Sequence, residues 1–356
     1  MSARGSAAPA RRGARVALTP VIIGLVIAIA VSIVLSLAFG SERIPLADVW
    51  AVVRGQLSGD PVSSPFATII WQLRMPRALL AVLAGAGLSI GGAGMQTLVR
   101  NPLAEPYLLG ISSGASVGAT AVLVFGVLAQ FGVYSLSAGA LLGALGAALA
   151  VFGVSQAQGG LTPLRMVLSG VVLSSAFSAV ASFMVFLSDD NHAATSVMFW
   201  MLGSVAGASW EKLLLPLLAV VVIGTGMMAV SSWMDALAAG PETAAALGVR
   251  VGAMRVGLFI GLGVLIGCLV AVSGGIGFVG LIVPHAARMM VGSLHRRILP
   301  IAALVGALFL LWVDVVSRVV VSPQEIPIGV VTGVIGAPVF LFLMGRRQYA
   351  FGSRDA

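Results

Sequence analysis

The sequence predicts an all-α integral membrane protein with about ten transmembrane helices and both termini on the cytoplasmic side. Three observations predict it. Hydrophobic residues fill 59% of the 356 positions and charged residues only 9%, whereas soluble domains carry roughly 25% charged residues. So apolar a chain lacks the polar surface to stay in solution. Apolar runs near the length that crosses a bilayer, about 20 residues, recur along the whole chain. The charges between those runs fall unequally on alternate sides, as membrane topology demands.

The first fifteen residues carry Arg4, Arg11, Arg12 and Arg15 and no acid, and an apolar run over 21–39 follows. A signal peptide has an apolar core of only about 7–15 residues. This run is longer, so it reads as a first span behind a cytoplasmic basic tail, residues 1–17. Further spans are predicted at 78–99, 107–128, 133–154, 166–187, 213–230, 252–272, 276–291, 298–320 and 326–344, the first being 18–39. The 276–291 run is too short to cross comfortably and reads as a partial helix lined by protein. Residues 18–345 form one polytopic domain, and 346–356 a cytoplasmic tail. The one cysteine, Cys268, excludes an intrachain disulfide.

The basic residues test this orientation. An inside N-terminus gives the cytoplasmic side 14: Arg4, Arg11, Arg12, Arg15, Arg100, Arg165, Arg250, Arg255, Arg288, Arg296, Arg297, Arg346, Arg347 and Arg354. The outer side receives 6: Arg43, Arg54, Arg74, Arg77, Lys212 and Arg318. That is the positive-inside direction. The net charge of +8 is thereby assigned to membrane topology, and no nucleic-acid partner is expected. Glycine pairs spaced as small-xxx-small, among them Gly139 with Gly143 and Gly257 with Gly261, are expected to serve helix packing.

Several chemistries are excluded. "GIGFVG" at 275–280 matches a dinucleotide fingerprint, but its flanks are membrane spans rather than a βαβ unit. No G-x-x-x-x-G-K-[ST] occurs, and Lys212 is the only lysine, so this chain carries no P-loop. His192, His285 and His295 are scattered without metal-ligand spacing, and no Ser/His/Asp grouping stands out. No catalytic residue, metal or cofactor is expected in this chain. Asp314 lies four residues before Arg318, a spacing that pairs them on one helix face. A structural ion pair is favoured there over a proton-carrying acid, since the site is near the outer end.

Two polar interruptions remain. "RNPLAEP", 100–106, carries two prolines that resist helix continuation. Irregular backbone within a membrane survives only where protein buries it or water lines it, which suggests a constriction on a pathway. The second is a cytoplasmic insert at about 234–250. It has Pro241 near a helix start, Glu242 in the first turn and Gly248 as a stop. Too short to span, it reads either as a helix displayed to a partner or as one lying on the membrane.

These stretches carry a resemblance. "LRMPRALLAVLAGAGLSIGGAGMQTLVRNPLAEPYLLGISSGASVGA", "AAALGV", "GGIGFVGLIVPHAARMMVG" with "HRRILP", "WVDVVSR" and "EIPIGVVTGVIGAPVF" run from Leu73 to Phe340. The chain resembles the permease subunits of ABC importers for iron chelates, haem and vitamin B12. The resemblance implies a type II importer permease of ten helices, a second permease subunit that completes a homodimer with the path between the two copies, and two separate ATPase subunits that bind ATP and Mg. It also implies an extracytoplasmic binding protein and the bacterial inner membrane. It assigns Asn101, Pro102, Leu103, Thr162, Pro163 and Leu164 to a cytoplasmic gate. Pro241, Glu242, Ala245, Leu247, Gly248 and Arg250 would couple to the ATPase. Arg74, Arg77 and Arg318 would dock the binding protein; the competing reading is that they snorkel to lipid headgroups. The vitamin B12 members have small hydroxyl residues where this chain has Pro163 and Leu164. Ferric siderophore or haem therefore leads as cargo, ahead of vitamin B12 and oxyanions, and an ion-coupled secondary carrier is the alternative of another class.

Overall fold

The computed structural model describes residues 18–60, 62 and 64–346. The basic tail with Arg4, Arg11, Arg12 and Arg15, and Arg347 and Arg354 of the C-terminal tail, lie outside the described residues. The helices are α1 (Leu18–Ala38), α2 (Leu46–Ser58), α3 (Met75–Leu98), α4 (Ile111–Phe125), α5 (Ser135–Ala157), α6 (Pro163–Phe186), α7 (Asn191–Met201), α8 (Leu214–Ala229), α9 (Ser231–Ala239), α10 (Pro241–Ala246), α11 (Val251–Ser273), α12 (Val279–Val291), α13 (His295–Val319) and α14 (Ile328–Arg346). Among the described residues seven helical segments are long and apolar enough to cross a membrane. Three shorter apolar helices, α4, α12 and α14, fill the remaining predicted positions.

Two helices break the predicted outline. α2 and α7 are 13 and 11 residues long, below the length of a span, so an apolar-run search passes over them. α2 buries Val49, Val52 and Val53 on one face and exposes Leu46, Trp50 and Leu57 on another. A π-helical stretch, Ile69–Arg74, runs directly into α3.

α3 is the most buried of the spans, and α13 and α11 are also largely enclosed, while α6 and α8 are mostly open. The reason is local sequence. "ALLAVLAGAGLSIGGAGM" presents small residues on every side of α3, so α8, α11, α12 and α13 all pack against it. A Cβ at Gly85 would collide with the Gly306 carbonyl of α13, and one at Gly92 with the Gly280 carbonyl of α12. Backbones meet at these two points only because no side chain intervenes. Gly139 and Gly143 likewise face the backbone of α4, whereas Gly257 faces open space and Gly261 meets the Ile223 side chain of α8; the glycine spacing predicted packing for both pairs, and backbone-to-backbone approach occurs at the first.

The junction of α11 and α12 lies beside the body of α3, not at its end. Gly280 abuts Leu88 and Gly92, which stand roughly 20 and 26 Å along α3 at 1.5 Å per residue. α12 is thus a partial helix buried in protein, as its short apolar run predicted.

Candidate functional site

The α11–α12 junction explains part of "RNPLAEP". The backbone there is irregular: Gly274 and Phe278 both have positive φ. Its polar groups need partners at a depth where lipid offers none. Glu105 accepts a hydrogen bond from the Phe278 N–H at 2.7 Å. The Tyr107 hydroxyl donates to the Ile276 carbonyl at 3.0 Å and accepts from the Ile276 N–H at 2.9 Å. The loop after α3 therefore clamps the break between two other helices. The sequence marked this stretch as unusual but pointed to a constriction; the clamp is supplied by Glu105 and Tyr107, which the sequence did not single out.

At the C-terminal end of α3 the expected gate residues lie at or near the surface. Asn101, Pro102 and Leu103 are exposed, and the Asn101 side-chain oxygen accepts from the Leu103 N–H at 2.9 Å, a local turn that fixes the loop. Thr162 is the N-cap of α6, its hydroxyl accepting from the Arg165 N–H at 3.4 Å, with Pro163 in the first turn. Pro at that position loses no hydrogen bond. Leu164 is 68% exposed. Arg255 of α11 donates to the Leu161 carbonyl at 3.2 Å, which ties this patch to the bundle.

The insert is a pair of short helices, α9 and α10. Pro241 opens α10 after Gly240, Glu242 sits in its first turn, and Gly248 turns left-handed beyond its end. The turn closes with the Val249 N–H donating to the Ala244 carbonyl at 2.9 Å. Ala244 faces inward, while Glu242, Ala245, Leu247, Gly248 and Arg250 are exposed. Leu247 is 68% exposed between the charged Glu242 and Arg250, an apolar side chain offered among polar ones.

The opposite end holds the three arginines, and it places them inside. Arg74, Arg77 and Arg318 are 8%, 8% and 5% exposed in the single chain. Arg77 donates from Nε to Asp314 at 2.8 Å and from Nη1 to both carboxylate oxygens of Glu325 at 2.8 and 2.9 Å. Arg318 meets the other oxygen of Asp314 at 3.0 Å, poorly aligned for a hydrogen bond, and donates to the Phe39 carbonyl at 2.9 Å. Arg74 donates to the carbonyls of Leu37 and Glu42 at 2.6 and 2.7 Å. The Asp314–Arg318 pair is present, but Asp314 is shared with Arg77, 237 residues away. Buried charges demand such pairing. The three guanidiniums join α1, α3 and α13 and are buried within the chain. Of this cluster Glu325 reaches the surface, its side chain 43% exposed.

Residues 27–346 match the FecCD transport family. The chain belongs to the FecCD transport family. Its relatives include the molybdate import system permease protein of Haemophilus influenzae, 35% identical with 90% of this chain and 94% of that protein covered. The hemin transport system permease protein of Yersinia pestis is 39% identical over 78% of this chain and 84% of its own. Among solved structures, a metal-chelate type ABC transporter in an inward-facing conformation aligns with a TM-score of 0.81 and 34% identity, covering 92% of this chain and all of that one. The FecCD chain described here is accordingly a multi-pass ABC importer permease with the permease fold of that transporter.

Proposed function

We propose that this permease translocates an iron complex, ferric siderophore or haem, delivered by an extracytoplasmic binding protein across a bacterial inner membrane, with ATP and Mg handled by two separate ATPase subunits. The exposed α9–α10 insert carries this reading. Leu247 is a large apolar side chain displayed beyond the spans, and a partner that covers it also covers Glu242, Ala245, Gly248 and Arg250. With that end cytoplasmic, both termini are cytoplasmic too, and the excess of basic residues there agrees.

A second copy of the chain is read against α6 and α14, whose apolar residues Val172, Phe183, Val334 and Leu341 are exposed. Ser175, Ser178 and Ser182 are also exposed, and their spacing puts them on one face of α6. Hydroxyls are disfavoured against lipid and suit a watered path between two copies. Asn101, Pro102, Leu103, Thr162, Pro163 and Leu164 then close that path at the cytoplasmic end. Arg74, Arg77 and Arg318 contribute to binding-protein docking by fixing the outer mouth around Glu325.

Iron complexes are favoured by the hemin relative; the molybdate and vitamin B12 permeases keep those cargoes as the competing arms. The test is uptake into liposomes holding the permease, its ATPase and its binding protein. Haem or a ferric siderophore should enter in preference to molybdate and vitamin B12. Orthovanadate should stop entry and an uncoupler should not. Entry blocked by the uncoupler alone would sink the ATP-driven reading in favour of an ion-coupled carrier.

A further inference from the structure

The insert has a specific attachment to the bundle. α10 packs mainly on α9, and α9 packs on α3 and α13. Within that contact Asp235 of α9 accepts two hydrogen bonds from the first residue of α13: the His295 backbone N–H at 2.9 Å and its Nδ1 at 2.5 Å. The carboxylate thereby occupies the positive end of a 25-residue helix, where a negative charge is favoured. On its other side, His295 Nε2 lies 2.6 Å from the Thr97 hydroxyl in the last turn of α3. His295 and Thr97 are 4% and 3% exposed.

The protons can be counted. The Thr97 hydroxyl donates its single hydrogen to the Ala93 carbonyl at 2.9 Å, so in this arrangement it accepts from Nε2–H while Nδ1–H goes to Asp235. If the imidazole is neutral, the hydroxyl turns its hydrogen to Nε2 instead, because a threonine can donate or accept. The chain Asp235–His295–Thr97 therefore persists in both charge states, which suits a mechanical tie rather than a pH switch. An acid–histidine–hydroxyl order also belongs to nucleophilic enzymes, but Thr97 is sealed from any substrate.

Thr97 stands just before the gate loop. The Arg100 N–H donates to its carbonyl at 3.3 Å, and the Asn101 N–H to that of Gln96 at 3.1 Å. We propose that Asp235, His295 and Thr97 form the link through which movement of the α9–α10 insert reaches α3, α13 and the loop 101–103, with His295 its positioning residue. The proposal rests on the reading of the insert as the ATPase dock. A hydrogen-bonded tie between elements with two arrangements is the kind of contact that carries coupling, and a double-mutant cycle measures it.

The experiment uses the permease with its ATPase and binding protein in liposomes, with haem as the probe. Thr97→Val and Asp235→Asn keep side-chain shape, and they act on opposite nitrogens of His295. Haem moved per ATP hydrolysed should fall roughly fivefold or more in each variant, with the ATPase still co-purifying. The double variant should be no worse than the worse single one. A ratio unchanged in either single variant, effects that multiply in the double, or uptake lost only in proportion to assembled complex would each overturn the link. Wild-type uptake insensitive to orthovanadate overturns the importer reading and the link with it; vanadate-sensitive uptake with an unchanged ratio overturns the link alone.

Discussion

The two ends of the α3–α13 pair are fastened by different chemistry. At one end Arg77 of α3 and Arg318 of α13 share the fully buried Asp314. At the other, Thr97 of α3 meets His295 of α13, and the connection continues outward to Asp235, whose side chain is 27% exposed. Between them Gly85 and Gly306 touch backbone to backbone. Full charges sealed from solvent make the first fastening costly to open. The second runs from the core to a displayed insert through a neutral hydroxyl, so it can be pulled from outside. One end reads as an anchor and the other as a handle.

The largest effect is expected at the anchor. Asp314→Ala leaves two buried guanidiniums short of their counter-charge, and breaking a buried pair in this way costs about 3–5 kcal/mol. Thermal unfolding in detergent should show a large drop, and an unchanged midpoint would mean the arginines find other partners. For the same reason Arg74→Glu with Arg77→Glu should lose folded protein before binding-protein docking can be measured. Next comes the midpoint. Gly306→Ala puts a methyl against the Ser89 hydroxyl and the Gly85 carbonyl, and overpacking of this kind costs about 1–3 kcal/mol. The same unfolding measurement tests it, and a neutral result would show that the helices separate freely there.

Smaller again is the handle. Thr97→Val removes the hydroxyl that meets both His295 and the Ala93 carbonyl; the carbonyl keeps its helical N–H partner, so the net loss is about 1 kcal/mol by the usual scale, and the unfolding midpoint should move less than that of either other variant even though transport per ATP falls. An effect on stability as large as that of Asp314→Ala would erase the distinction between the two ends. The smallest effect concerns salt. Screening acts on exposed charges and little on buried ones. Raising ionic strength should therefore leave the Asp314→Ala deficit nearly constant, and a deficit that shrinks with salt would place the cluster in water.

The spans were legible because lipid imposes one simple rule, a long apolar run per crossing, and ten such runs matched seven long and three short helices. The Asp314–Arg318 pair was legible from its spacing within one helix, and the α10 boundaries from Pro241 and Gly248. Arg77 was not, because its two carboxylates lie 237 and 248 residues away. The same holds for His295, whose partners Asp235 and Thr97 are 60 and 198 residues distant. As a lone histidine opening a basic "HRR", it carried no local signal. Periodicity reports which face a helix buries; it is silent on which distant polar atom waits there.

The break between α11 and α12 bears on how the chain is made. A segment leaves the insertion machinery for lipid largely on its own hydrophobic length. α12 has 13 residues, about 20 Å of helix at 1.5 Å per residue, well short of a bilayer core. It cannot be accepted as an independent span. Its start is completed by Glu105 and Tyr107, made 173 and 169 residues earlier. Those side chains must wait, unpartnered, while α4 to α11 are synthesised, so the half-helix settles late, between α3, already in place, and α13 and α14, which follow it. A nascent chain stopped before Ile276 would thus hold the six long spans that precede it yet leave the Glu105 carboxylate without the Phe278 N–H that donates to it, a natural handle by which quality control can tell an unfinished chain from a finished one.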